Sequence, residues 1–218
     1  MNVAIVDFGL GNLRSVAQAL KRVGATPRLV SSSAEFADAE ALVLPGVGAF
    51  GDGCSGLAER GLVEPLREAA RSGKPLLGIC LGLQLLFAES EEAPGAAGLG
   101  LLPGKVMRFR GARFGAQGGL KVPHMGWNRL SFPRPHPLFA NLPGEAWVYF
   151  VHSYYPVPAD EETVLAESEY GMRFCAAAGR GNVWGCQFHP EKSQRVGLRI
   201  LENFLGLARE RRTAGRST

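Results

Sequence analysis

Pro75-Leu76-Leu77-Gly78-Ile79-Cys80-Leu81-Gly82-Leu83-Gln84-Leu85-Leu86-Phe87-Ala88 is the longest apolar run of the chain. It divides into two elements. Pro75 to Ile79 has the length of one buried strand, and Leu81 to Glu89 follows as a helix. Cys80 stands between them on a sharp turn flanked by Gly78 and Gly82, which relieve crowding there. A side chain on such a strand-to-helix turn projects from the C-terminal edge of a sheet. The helix N-terminus favours a thiolate, and the Leu81 backbone amide points to where an oxyanion would develop. Read only as packing, Cys80 is a small buried hydrophobe; the G-x-C-x-G turn favours a nucleophile. The run is too short to span a bilayer and contains Gln84.

Upstream, the same strand–helix alternation repeats. Val3 to Phe8 reads as a strand, and Asn12 can cap a helix to about Val23, ended by Gly24. Thr26 to Val30 is a second strand, Ser32 with Glu35 resembles a capping box, and Ala41 to Leu44 is a third strand ending at Pro45-Gly46. A helical region from about Cys54 to Arg71 is interrupted near Gly61 and Pro65. Such repetition predicts a parallel sheet with helices on both faces.

Downstream the pattern changes. Val106 to Arg110, Asn128 to Phe132, Trp147 to Ser153 and Val164 to Glu169 read as strands without long helices between them. Met172 to Ala178 and Val183 to His189 flank Gly179-Arg180-Gly181-Asn182, a hairpin signal. Gln194 to Arg209 is a final amphipathic helix, and Ala112 to Pro123 a glycine-rich surface loop. There is no internal repeat and no separating linker, so residues 1–208 read as one domain and 209–218 as a basic tail.

With 218 residues the chain is long enough for one sizeable core. Its net charge of +4 is modest and partly concentrated in Arg209, Arg211, Arg212 and Arg216, opposed by Glu210. Without interleaved aromatics this stretch reads as a solvated helix end rather than a nucleic-acid contact. Cys54, Cys80, Cys175 and Cys186 form neither C-x-x-C pairs nor zinc-type spacing, so no metal is expected and a reduced, cytoplasmic setting is. The N-terminus reads as a first strand rather than a signal peptide.

Three further segments carry chemistry. Gln84 follows Cys80 by one helical turn, so it lies on the same face among leucines, either lining a pocket or making a structural hydrogen bond. In Gln187-Phe188-His189-Pro190-Glu191, a strand end, residues two apart point the same way; Glu191 can orient the His189 imidazole and leave its other nitrogen for a thiol. Pro45-Gly46-Val47-Gly48-Ala49-Phe50 follows the third strand at the same sheet edge and offers an amide of Val47 or Gly48 as a second oxyanion donor, or is an ordinary tight turn. Gly9-Leu10-Gly11 imitates a dinucleotide fingerprint but has Arg14 at the third glycine position, so no cofactor is expected.

Together P-G-V-G, G-I-C-L-G-x-Q and F-H-P-E resemble the class I, triad-type glutamine amidotransferases. That resemblance implies a single-domain, three-layer α/β fold with a central mixed, mostly parallel sheet and a flavodoxin-like core. It also implies hydrolysis of L-glutamine to glutamate and ammonia through a cysteinyl thioester, with Cys80, His189 and Glu191 as the triad. Asp7-Phe8-Gly9-Leu10-Gly11-Asn12-Leu13, Pro123-His124-Met125-Gly126-Trp127-Asn128, Tyr149-Phe150-Val151-His152-Ser153-Tyr154 and His189-Pro190-Glu191-Lys192-Ser193 look like one branch of the family. Its members pass ammonia to a cyclase subunit, a (β/α)8 barrel, which forms imidazole glycerol phosphate and aminoimidazole carboxamide ribotide in histidine biosynthesis. The opening is D-F-G where the branch has D-Y-G. The resemblance implies that Gly46, Gln84, Ser153 and Tyr154 surround glutamine. It implies that His124, Trp127, Tyr149 and Lys192 lie at the subunit junction and ammonia passage; on physical grounds alone Trp127 is equally a core aromatic. Competing readings are the glutaminase subunit of another amidotransferase, such as one making pyridoxal phosphate, a cysteine-elbow chaperone or peptidase, and a pure interaction module. The P-H-M-G-W-N and F-H-P-E segments argue against them.

Overall fold

Runs of consecutive apolar residues in the first eighty positions build a sheet buried on both faces. The structure, a computed structural model, describes residues 1–115, 119–142 and 144–214, the last three of these by backbone alone. Strand β1 (Asn2–Val6) is followed by helix α1 (Leu13–Arg22), β2 (Thr26–Val30), β3 (Ala41–Gly46), helices α2 (Phe50–Glu59) and α3 (Val63–Arg71), β4 (Leu76–Cys80) and the short helix α4 (Leu81–Leu85). Val3, Ile5, Val43, Leu77 and Ile79 point to one side, against Val16 and Leu20 of α1. Ala4, Val6, Leu42, Leu44 and Leu76 point to the other, against Leu57 of α2, Leu66 of α3 and Leu83 of α4. Strands covered on both faces must be apolar at consecutive positions, as these are. The Ser32–Glu35 capping box forms at the 3-10 turn Ser33–Phe36. The helical break falls at residues 60–62, and Pro65 sits in the first turn of α3, where its missing N–H costs little.

The second half adds β5 (Gly104–Arg108), β6 (His124–Arg129), β7 (Trp147–His152), β8 (Tyr154–Pro158), β9 (Val164–Glu169), β10 (Arg173–Arg180), β11 (Val183–Cys186) and helix α5 (Gln194–Ala214). The main sheet has seven strands in the order β2-β1-β3-β4-β11-β10-β9. Its first five strands run parallel, while β10 pairs antiparallel with both β11 and β9. Gly181 and Asn182 form the turn of the β10–β11 hairpin, with Arg180 opposite Val183. Ile200, Leu201 and Phe204 of α5 complete the layer that α1 begins. Two antiparallel ribbons, β5–β8 and β6–β7, stand apart from the main sheet.

Several boundaries differ from the sequence reading. β6 begins at His124 rather than Asn128, because His124 and Asn128 face inward and Met125 and Trp127 face out, opposite to hydropathy. β8 was hidden by Pro156 and Pro158, which an edge ribbon tolerates. β11 ends at Cys186, three residues before His189. Of the glycine-rich stretch, residues 116–118 lie outside the described residues, and a bridge joins Phe114 to Leu120. α5 continues through the expected basic tail to Ala214; Arg211 donates to the Gly181 carbonyl at 2.7 Å and lies 5.5 Å over the Trp184 ring. Residues 215–218, with Arg216, lie outside the described residues. Among the described residues no helix is long and apolar enough to cross a membrane, and no group of three or more His, Cys, Asp or Glu could hold a metal ion.

Candidate active site

Cys80 ends β4 and begins α4 with φ of 55° and ψ of −109°, a conformation that a non-glycine residue rarely adopts. Such strain persists only where the surroundings impose it. Here Gly82 lies so close to the Leu44 carbonyl that a Cβ would collide with it, pinning the turn against β3. A Cβ on Gly46 would come within 2.9 Å of Leu81 Cβ. Gly46 is therefore buried in β3, opposite Cys80, and gives the elbow room.

His189 reaches the same edge along the chain leaving β11. Its N–H donates to the Tyr149 carbonyl at 2.9 Å, and Pro190–Lys192 then folds as a 3-10 turn. That turn, rather than the alternation of a strand, brings Glu191 Oε1 to 2.8 Å from His189 Nδ1. Ser193 Oγ donates to the His189 carbonyl at 2.6 Å and accepts from the Tyr149 N–H at 3.0 Å, so strand β7 holds the turn in place. His189 is 1% exposed, and its Nε2 has no hydrogen-bond partner among the described residues. Burial works to lower its pKa, but interactions with the Cys80 sulfur and the Glu191 carboxylate outweigh it and raise the value to about 9. The imidazole is accordingly protonated at neutral pH.

The Cys80 sulfur has two further neighbours. Gln187 Nε2 donates to it at 3.7 Å, and the Val151 carbonyl lies 4.0 Å away, positioned to accept from a thiol. A cavity of about 240 Å³ opens above it, bounded by Val47, Gly48 and Leu81 on one side and by Glu92 and residues 151–154 on the other. Gly48 has φ of 116°, which only glycine takes without strain. Val47, Gly48, Leu81, Ser153 and Tyr154 thus share one cavity with Cys80. Gln84 also borders it, but both protons of its amide are engaged within the protein: Nε2 donates to the Tyr154 carbonyl and to Gln187 Oε1, each at 3.1 Å. The other cysteines are kept as thiols by burial, Cys186 among them although it lies within electrostatic reach of Cys80 and Glu191. Burial pushes Cys54 up to about 11 and raises Cys175 and Cys186 further.

Sequence reasoning missed Glu92 and Gln187. Among the described residues Glu92 is the one carboxylate at the cavity, and its Oε2 accepts the Phe50 N–H at 2.7 Å at the start of α2. In sequence it is one of several acids in Glu89-Ser90-Glu91-Glu92 with nothing to single it out. Gln187 is 0% exposed, and its buried amide demands partners, which the structure supplies in Gln84 and Cys80.

The outer face of the β6–β7 ribbon is a second feature. Met125, Trp127 and Trp147 are 62%, 45% and 45% exposed. Tyr149 pairs with Trp127 across the ribbon, and Lys192 Nζ lies 5.6 Å over the Tyr149 ring. Trp127 is therefore a surface aromatic. His124, expected at the junction and ammonia passage, is buried: it faces inward, stacks on Phe150 and Tyr170, and its Nδ1 lies 3.1 Å from His152 Nε2.

The family model of glutamine amidotransferase class-I matches residues 4–207. The chain is 52% identical over 213 residues to the imidazole glycerol phosphate synthase subunit HisH of Moorella thermoacetica, covering 98% of each chain. It is 53% identical over 206 residues to the subunit of the same name from Geobacillus kaustophilus, covering 94% and 97%. Among solved structures, a glutamine amidotransferase superposes with a TM-score of 0.74 at 24% identity, over 94% of this chain and 98% of that one. PurLQS from Thermotoga maritima gives 0.73 at 22%, with the same coverage. At those identities the structural likeness is one of fold, but the family model and the relatives at half identity decide the matter: the chain belongs to the class-I glutamine amidotransferase family.

Proposed function

We propose that the chain is the glutaminase subunit of an imidazole glycerol phosphate synthase, with Cys80, His189 and Glu191 as its catalytic triad. The observation that carries this reading is the meeting at one sheet edge of a strained cysteine and an imidazole held by a carboxylate at 2.8 Å. The thiolate of Cys80 attacks the carboxamide carbon of L-glutamine. Amides of Leu81 and of Val47 or Gly48 hold the resulting oxyanion. His189 gives its proton to the departing nitrogen, the C–N bond breaks, and ammonia leaves a γ-glutamyl thioester. His189 then takes a proton from water, the hydroxide cleaves the thioester, and glutamate departs. Glu191 keeps the imidazolium oriented throughout. Glu92 is suited by charge to the α-ammonium of glutamine, and Ser153 and Tyr154 to its amino-acid end.

The ammonia passes to a cyclase subunit with a (β/α)8 barrel, and that partner docks on the face formed by Met125, Trp127, Tyr149 and Lys192. Exposed tryptophan and methionine in one patch fit a protein interface better than solvent. Glutamine turnover by the isolated chain is weak, because the oxyanion turn is completed only when the partner binds its own ligand. Four free cysteines and biosynthetic relatives fit a cytoplasmic setting. The test is Cys80→Ala in the reconstituted heterodimer. Glutamine-dependent synthesis is expected to fall by at least about a thousandfold, as for loss of a triad nucleophile. Synthesis driven by added ammonia is expected to persist. Retained glutaminase activity would rule out this nucleophile.

A further inference from the structure

The Tyr154 carbonyl fixes the direction of a chain of side-chain amides that ends on the Cys80 sulfur. A carbonyl oxygen only accepts, so the Gln84 atom 3.1 Å from it is the NH2 group. The second proton of that NH2 points at Gln187, 3.1 Å away, so the Gln187 atom facing it is the carbonyl oxygen. The Gln187 NH2 is thereby turned to the other side, where it meets Cys80 Sγ at 3.7 Å. Both glutamines are buried, at 5% and 0% exposure, so neither amide has solvent as an alternative partner. Reversing Gln84 would set its carbonyl oxygen against those of Tyr154 and Gln187, and reversing Gln187 would set its NH2 against that of Gln84 and its oxygen against the sulfur.

The sulfur consequently has two neighbours with opposite preferences. The Val151 carbonyl at 4.0 Å accepts from a thiol and repels a thiolate. The Gln187 N–H stabilises a thiolate and gives a thiol nothing comparable. Resting on the reading of Cys80 as nucleophile, we infer that Gln187 is a further catalytic residue that holds the sulfur as an aimed thiolate, and that Gln84 is the positioning residue that keeps the Gln187 N–H directed at it. This gives Gln84 a role before any substrate arrives. The other titratable groups facing the sulfur are His189, Glu191, Cys186, His152 and Glu92. All of them are retained in the variants below.

The experiment is alkylation of the full chain by iodoacetamide as a function of pH, without glutamine, with the modified residue mapped by mass spectrometry. Gln187→Met keeps the length and removes the donor. The pH of half-maximal Cys80 alkylation is expected to rise by about one unit and kcat in the heterodimer to fall about tenfold, with KM within about twofold, the scale of one hydrogen bond to a charged group. Gln187→Glu keeps an oxygen for Gln84 and sets a carboxylate against the sulfur; a larger rise is expected. Gln84→Met is expected to move the profile in the same direction by less. A cooperatively folded Gln187→Met or Gln187→Glu chain with the wild-type profile would overturn the inference. A change in KM alone for Gln84→Met would remove Gln84 from it. Should these variants fail to fold, the side-chain amide protons of Gln187 in the wild-type chain decide by NMR: they are expected to shift on alkylation of Cys80, and unmoved resonances would overturn the proposal. The two readings fail separately, because glutaminase activity in Cys80→Ala would sink the triad and leave the amide contact testable by the same alkylation profile.

Discussion

His189 and the pair His124–His152 are equally hidden from water, at 1%, 3% and 5% exposure, yet their charge states are opposite. His189 is raised to about 9 although its burial works against the proton. His124 is lowered to about 4 by burial. His152 is lowered to about 3 by burial, opposed by the hydrogen bond to the Tyr154 carbonyl and assisted by the like charge of His124 and His189. The difference lies in the partner. His189 has the Cys80 sulfur beside it and a carboxylate at Nδ1, whereas His152 Nδ1 faces a neutral carbonyl at 2.8 Å. Depth alone makes an imidazole neutral, and an adjacent anion reverses the outcome. The neutral pair has a fixed order of donors: the His152 Nδ1–H donates to Tyr154, its bare Nε2 accepts from His124 Nδ1–H, and His124 Nε2 accepts from Asn128 at 3.3 Å.

The strongest way to break this contrast is Glu191→Gln, which keeps an acceptor for Nδ1 and deletes the charge. Glutamine hydrolysis in the heterodimer is expected to drop on the order of a thousandfold. The ring nitrogens of His189 followed by NMR should titrate below the wild-type value of about 9. A histidine with an unchanged titration in this variant would show that Glu191 contributes nothing to the shift and leave the Cys80 sulfur as its cause.

The next effect is on stability. Unfolded histidines take up protons near pH 6.5, and folded His124 and His152 refuse them until about pH 4 and about pH 3. Stability therefore falls as the pH drops through that window, by about 1.4 kcal/mol per pH unit for each histidine. His189 acts with the opposite sign: its contribution is complete below pH 6.5 and is lost as the pH rises through about 9. Urea midpoints measured from pH 4 to pH 9.5 should peak between the two limbs. A flat acid limb would mean that the pair is hydrated or charged. The smallest expected change is His124→Phe, which leaves His152 Nε2 without a donor and costs about 2 kcal/mol, or about 5 °C in Tm. The same variant should shallow the acid limb by about half, because one of its two histidines is gone.

What the sequence revealed follows a physical divide. The elbow at Cys80 was legible because an apolar run, two glycines and a cysteine are all local. So was the pairing of His189 with Glu191, although the backbone that achieves it is a 3-10 turn after the strand has ended and not the strand itself. β6 was misplaced because His124 and Asn128 satisfy each other inside, which inverts the polar–apolar alternation on which strand reading depends. β8 was lost to its prolines. Glu92 and Gln187 acquire meaning only from partners 42 and 107 positions away, at Phe50 and Cys80, and no spacing rule reaches that far.

Strand β7 exposes Trp147 to the outside and, by its main chain alone, touches both halves of the chemistry: the Tyr149 carbonyl holds the His189 amide and the Val151 carbonyl faces the sulfur. A small slide of this one ribbon would move the His189 and Cys80 contacts together, with no rearrangement of the domain. Alanine scanning along it would trim what protrudes and leave those carbonyls where they are. The transmission from surface to centre is thus invisible to side-chain replacement, and backbone ester substitution at the His189 amide is the chemistry that would reach it.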